Sequence, residues 1–81
     1  MYKKELVAKN FNFQVDFEKV LNMKNLTAKI RYAAKPASAR IENVENNMYK
    51  IIFKEPQRAI TKGQSVVLYN NNVLLGGGII T

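Results

Sequence analysis

The chain has 81 residues, thirteen Lys and Arg against six acids, a net charge of +7, and neither cysteine nor histidine. That length holds one domain with one small core, and the missing residue types exclude a disulfide framework, a zinc finger, a thiol nucleophile and a histidine base. The charge points to a polyanionic partner, nucleic acid first among them, while no apolar run approaches the roughly 20 residues that span a bilayer.

Taken in order, the chain opens on Lys3-Lys4-Glu5 and a mixed segment, which does not read as a signal peptide. Phe11, Phe13, Val15 and Phe17 alternate with Asn12, Gln14, Asp16 and Glu18, the period of a half-buried strand. Residues 16–25 carry Phe17, Val20 and Leu21 at helical spacing, enough for one or two turns. Leu26, Ala28, Ile30 and Tyr32 then alternate with Thr27, Lys29 and Arg31, and further strands are expected over 39–44, 48–53, 65–69 and 73–80. Between them, Glu45-Asn46-Asn47 and Asn70-Asn71-Asn72 suit tight hairpins, because Asn tolerates positive φ. Lys62-Gly63 reads as the centre of a turn, and Lys35-Pro36 and Glu55-Pro56 are expected to break the pairing ladder. Many short strands at this spacing predict an all-β domain, and a closed barrel better than a sandwich, since closure removes exposed edges.

The three consecutive glycines, Gly76 to Gly78, are followed only by Ile79, Ile80 and Thr81. A phosphate-cradling loop needs a helix N-terminus directly after its glycines, so these are expected to serve a bulge or bend at closure, or the close approach of another domain's backbone. The six acids have no metal-loop spacing and no serine has a visible base, so the chain carries no catalytic set. What remains is cations interleaved with aromatics. From Lys24 to Lys62 there are nine basic residues and three acids, spread as on a folded surface. On pattern alone Arg31 reads first as a solvated strand residue and Tyr32 as a core-edge tyrosine. The alternative is Arg31 on a phosphate or base and Tyr32 stacking or offering its hydroxyl. Gln64, just after the Gly63 turn, is placed by the pattern at an exposed tip where its amide can meet a backbone or base edge.

Three segments resemble one family in order and spacing: Lys29-Ile30-Arg31-Tyr32, the run from Phe53-Lys54-Glu55-Pro56 through Gly63-Gln64 to Leu68-Tyr69, and Leu75-Gly76-Gly77-Gly78-Ile79-Ile80. The resemblance is to the C-terminal domain of the tRNA-specific 2-thiouridylases and covers residues 5 to 81. It implies a closed six-stranded β-barrel, similar to the second domain of translation elongation factors. It further implies that residues 1–81 form a single C-terminal domain beside catalytic and central domains that they do not include. In that family ATP adenylates the wobble uridine of tRNA and a cysteine persulfide then supplies sulfur, both in the N-terminal domain. A cysteine-free barrel without a cofactor of its own is therefore expected, inactive alone, with tRNA, the enzyme's other domains and a sulfur-carrier protein as partners. The expected location is the cytoplasm, which a cysteine-free chain fits, and no membrane is implied. By motif match the tRNA contacts fall on Arg31, Tyr32 and Gln64, with Lys24, Lys29, Lys35 and Lys62 adding long-range attraction. Two departures stand out: Ala33-Ala34 where the family carries polar residues, and Lys62 where proline precedes the glycine. A free-standing RNA- or ribosome-binding barrel and a purely bracing domain are the alternatives.

Overall fold

The computed structural model of the chain describes residues 2–30, 35–58 and 60–81. Six strands and one short helix follow in the order β1 (Tyr2–Phe13), α1 (Phe17–Leu21), β2 (Leu26–Ile30), β3 (Ala37–Glu45), β4 (Met48–Arg58), β5 (Ser65–Asn70) and β6 (Val73–Ile80). Every pairing is antiparallel, and the order β1-β4-β3-β2-β5-β6 closes on itself through β6 and β1. The expected closed six-stranded barrel is the fold observed. Closure gives every strand two neighbours, so the sheet has no outer strand of the kind that pairs with another chain.

β1 departs from its expected bounds, starting at Tyr2 instead of Phe11 and releasing Val15 and Phe17. The cause is a change of parity. Leu6 and Ala8 face the core at even positions, whereas Phe11 and Phe13 turn inward at odd ones. The switch occurs at Asn10, whose φ is 53°. There Asn10 and Phe11 together face Gly78 alone, between the pairs Lys9↔Ile79 and Asn12↔Gly77. A bulge of this kind shifts every later side chain to the other face, so a period-two reading loses the strand upstream of it.

Phe17 instead opens α1, whose five residues are too few to hold a helix alone. Tertiary packing holds it. Val20 is fully buried, and Phe17 joins Phe11, Phe13 and Tyr49 in a cluster with ring centroids 4.7–5.4 Å apart. Such pairs add about 0.5–1.5 kcal/mol each beyond their area burial. The helix thereby covers the end of the barrel at which β1 finishes and β2 begins. Inside, Phe53, Ile51, Leu68, Leu75 and Val66 are fully buried, and no polar or charged residue is buried among the described residues.

Both Asn-rich links are tight turns. Asn46 has φ 41°, and Asn71 and Asn72 have φ 49° and 73°, the doubly positive geometry of a two-residue hairpin. Left-handed backbone costs most L-residues roughly 1–2 kcal/mol, and Asn less. The double variant Asn71→Ala/Asn72→Ala is therefore expected to melt roughly 5–15 °C lower, while Asn71→Gly/Asn72→Gly is not. Thermal denaturation followed by circular dichroism decides this, and an alanine pair melting with the parent would show that the turn makes no such demand.

Pro56 breaks the ladder, as expected, without ending its strand. Pairing with β1 jumps from Glu5↔Ile52 to Lys3↔Gln57 across it, while β4 runs on to Arg58. The backbones that approach Gly76 to Gly78 belong to β1 and β5 of the same barrel. A Cβ at Gly76 would run into the carbonyl oxygen of Asn12, and one at Gly78 would lie 2.7 Å from Phe11 Cδ2 and 2.9 Å from the carbonyl oxygen of Lys9. β6 carries its own bulge at Leu75, between Leu68↔Gly76 and Tyr69↔Leu74.

Candidate nucleic-acid interface

Because all neighbours are antiparallel, β1, β3 and β5 start at one end of the barrel, where β2, β4 and β6 finish. On the strand halves nearer that end, and in the links that join them there, lie Lys3, Lys4, Lys29 and Lys35, with Arg40, Lys54, Arg58 and Lys62. Only Glu5 and Glu55 oppose them. On the other half, Lys9, Lys19, Lys24 and Lys50 are matched by Asp16, Glu18, Glu42 and Glu45. The positive surplus of the described residues therefore sits wholly at one end, and all its cations but the half-buried Lys29 are exposed. Among the described residues the one ion pair joins Lys50 Nζ to Glu5 Oε1 at 3.9 Å, so the exposed cations of the basic end are not neutralised by neighbouring carboxylates. Like charges gathered on one surface without partners create a field that attracts a polyanion and repel one another in its absence.

The Gly63 turn stands at this basic end. Gly63 has φ +88°, and its N–H donates to the carbonyl of Ile80 at 2.8 Å. The N–H of Ile80 in turn donates to the carbonyl of Gln64 at 2.8 Å. This pair of bonds pins the turn to the last residue of β6. A turn without the proline that precedes glycine in the resembling family is thus held by backbone pairing instead. Gln64 is half-buried rather than at an open tip. Its Oε1 is shielded from solvent and meets no donor among the described residues. Acceptors in that state are uncommon, because each forgoes a hydrogen bond it had with water.

Arg31 and Tyr32, with Ala33 and Ala34, lie outside the described residues. Their described neighbour, Ile30, pairs with Val66, two residues after Gln64, and Lys29 pairs with Val67. The end of β2 and the Gln64 turn, far apart in the chain, thus meet at the basic end. Lys29 and Lys62 share that end, and Lys35 belongs to the link there but lines a hollow with Asn25, Asn71 and Asn72 of the other end. Lys24 is on the opposite end, where its carbonyl accepts a 2.6 Å bond from Asn70 Nδ2. Sequence reasoning missed Lys3, Lys4, Arg40, Lys54 and Arg58 as members of one surface. Their spacing carries no signal, since it is closure of the barrel that gathers them. Among the described residues no three His, Cys, Asp or Glu side chains come together as metal ligands, and no helix is long and apolar enough to cross a membrane.

The family model of the aminomethyltransferase β-barrel domain matches residues 3–80. Over 80 residues, 99% of this chain, the sequence is 51% identical to a tRNA-specific 2-thiouridylase of Clostridium botulinum, of which the match covers 22%. It is 51% identical to the tRNA-specific 2-thiouridylase of Clostridium beijerinckii and 50% identical to that of Clostridioides difficile, with the same coverage. The chain spans about a fifth of the length of these curated relatives, in their C-terminal part.

Proposed function

The chain belongs to the family of aminomethyltransferase β-barrel domains, and from that premise we propose that it is the tRNA-gripping barrel of a tRNA-specific 2-thiouridylase. The observation that carries this reading is the collection of the described residues' positive surplus at one barrel end. That end belongs to a chain half identical, over nearly its full length, to enzymes of that name. On this reading residues 1–81 are one C-terminal domain. The catalytic N-terminal domain of the enzyme binds ATP and receives sulfur as a persulfide from a sulfur-carrier protein, and the enzyme works in the cytoplasm. The barrel holds no cofactor and positions the substrate.

Each residue then has a task its chemistry suits. Arg31 offers a planar fork to a phosphate or stacks on a base, and Tyr32 stacks or donates its hydroxyl. With Gln64 Oε1 turned inward, the side of its amide left for RNA is the Nε2 donor, which suits a phosphate oxygen or a base carbonyl. Interactions of this kind fix register without reading sequence.

The test is tRNA binding by the chain followed by fluorescence anisotropy at about 50 mM salt, a concentration at which phosphate contacts are strong. Binding is expected, together with no 2-thiouridine formed when ATP and a sulfur donor are added. Failure to bind, or sulfur transfer by the chain alone, would refute the proposal. Gln64→Ala should weaken tRNA binding about 5- to 10-fold, the weight of one or two hydrogen bonds, and Arg31→Lys should do so by a similar factor. Unchanged affinity in a normally stable variant removes that residue from the contact set.

A bracing role has its own support at the other end. Leu21, Val44, Val73 and Leu74 are 41–60% exposed and all lie where α1 and the two Asn hairpins cluster, on the charge-balanced half. Apolar side chains in such company suit contact with protein, not RNA. The two roles occupy opposite ends and do not compete.

A further inference from the structure

The break that Pro56 makes in the β1–β4 ladder opens a groove. Between the pairs Glu5↔Ile52 and Lys3↔Gln57, Lys4 faces four residues of β4, and β3 pairs no further along β4 than Ala39↔Phe53. The groove so formed is open and about 470 Å³, and into it come Lys4 from β1, Arg40 and Ser38 from β3, and Lys54 from β4. Its floor is apolar, formed in part by Ile52. Glu5 is the one acid on the rim, and its carboxylate is already engaged by Lys50 at 3.9 Å. Three exposed cations without carboxylate partners, drawn from three strands, thus meet over an apolar floor. Proline accounts for the gap, because it cannot donate to the ladder.

We propose that this groove seats a phosphodiester group of bound RNA, at a place separate from the Gln64 turn. The proposal rests on the tRNA-binding reading and extends it to residues outside the family motif. Arg40 supplies a fork of two parallel N–H donors, while Lys4 and Lys54 act as point charges and the Ser38 hydroxyl as a further donor. A singly charged phosphodiester fits a site of net positive charge better than an acidic side chain does, because its diffuse oxygens accept from several directions at once. Around the ring β4 lies three strands from β5 in either direction, so groove and Gln64 turn sit on opposite sides of the same basic end. An RNA backbone that engages both crosses that end from side to side.

The test compares two triple variants of equal net charge. Lys4→Gln/Arg40→Gln/Lys54→Gln empties the groove of cations, and Lys9→Gln/Gln14→Glu/Lys19→Gln lowers the net charge equally on the balanced half. With labelled tRNA and fluorescence anisotropy, the groove variant is expected to bind at least about tenfold more weakly. Its slope of log affinity against log salt should be shallower by roughly 0.7–0.9 for each phosphate that the variant no longer neutralises. The control should stay within about threefold of the parent. All six positions are exposed, and urea denaturation confirms that each variant is folded. Equal weakening in both variants would reduce the effect to net charge and overturn the groove. Parent-like binding by the groove variant would overturn it too, while leaving the tRNA reading intact. Absence of tRNA binding by the parent would remove both.

Discussion

Replacing Gly76 by alanine is expected to remove a large part of the barrel's stability. A Cβ at this position meets the carbonyl oxygen of Asn12 and comes within 3.1 Å of Phe13 Cα. Both atoms are backbone, so no rotamer change relieves the clash; β1 or β6 has to move. These are the two strands whose pairing closes the sheet. A domain of 81 residues has a total stability of about 4–12 kcal/mol, and a clash that parts closing strands costs about 3 kcal/mol or more. The melting temperature should fall by at least roughly 12 °C. Gly63→Ala is the useful contrast: φ is +88° there and no atom lies within 4 Å, so the cost is backbone strain alone, about 1–2 kcal/mol. If Gly76→Ala melted above Gly63→Ala, the close approach at Gly76 would not be what requires glycine.

The second large effect concerns salt. If four phosphates are neutralised at the basic end, tRNA affinity should fall roughly 50- to 150-fold between 50 and 200 mM monovalent salt, at ~0.7–0.9 counterions released per phosphate. Eight described cations stand there against two acids, so four phosphates draw on half of them. The slope tests phosphate neutralisation directly and needs no mutation. An affinity that changes less than about threefold over that range would mean that binding, where it occurs, is not driven by the charged end.

The physics of the fold explains why some of this was legible along the chain. Alternation survives wherever a strand is regular, as in Leu26, Ala28 and Ile30, all buried. Asn71, Asn72 and Gly63 announce their turns because positive φ restricts the residue types that fit. Parity fails at a bulge, which is why the part of β1 before Phe11 did not read as strand and Phe17 did. No local signal marks that bulge, since Asn10 suits many loop contexts and the matching gap at Gly78 lies on the last strand of the chain.

Composition and pattern by themselves determined the class of fold, the absence of thiol and imidazole chemistry, the sign of the net charge, and the motifs that place the chain beside a family. Those properties depend on residue type or on near neighbours, and a sequence displays both. Tertiary structure alone decided that the charge is polarised, that the end of β2 meets the Gln64 turn, and that Lys4, Arg40 and Lys54 share a groove. Each of these depends on which distant strands pair and where the ring closes, and pairing is set by the burial of the whole core, not by any one stretch of chain.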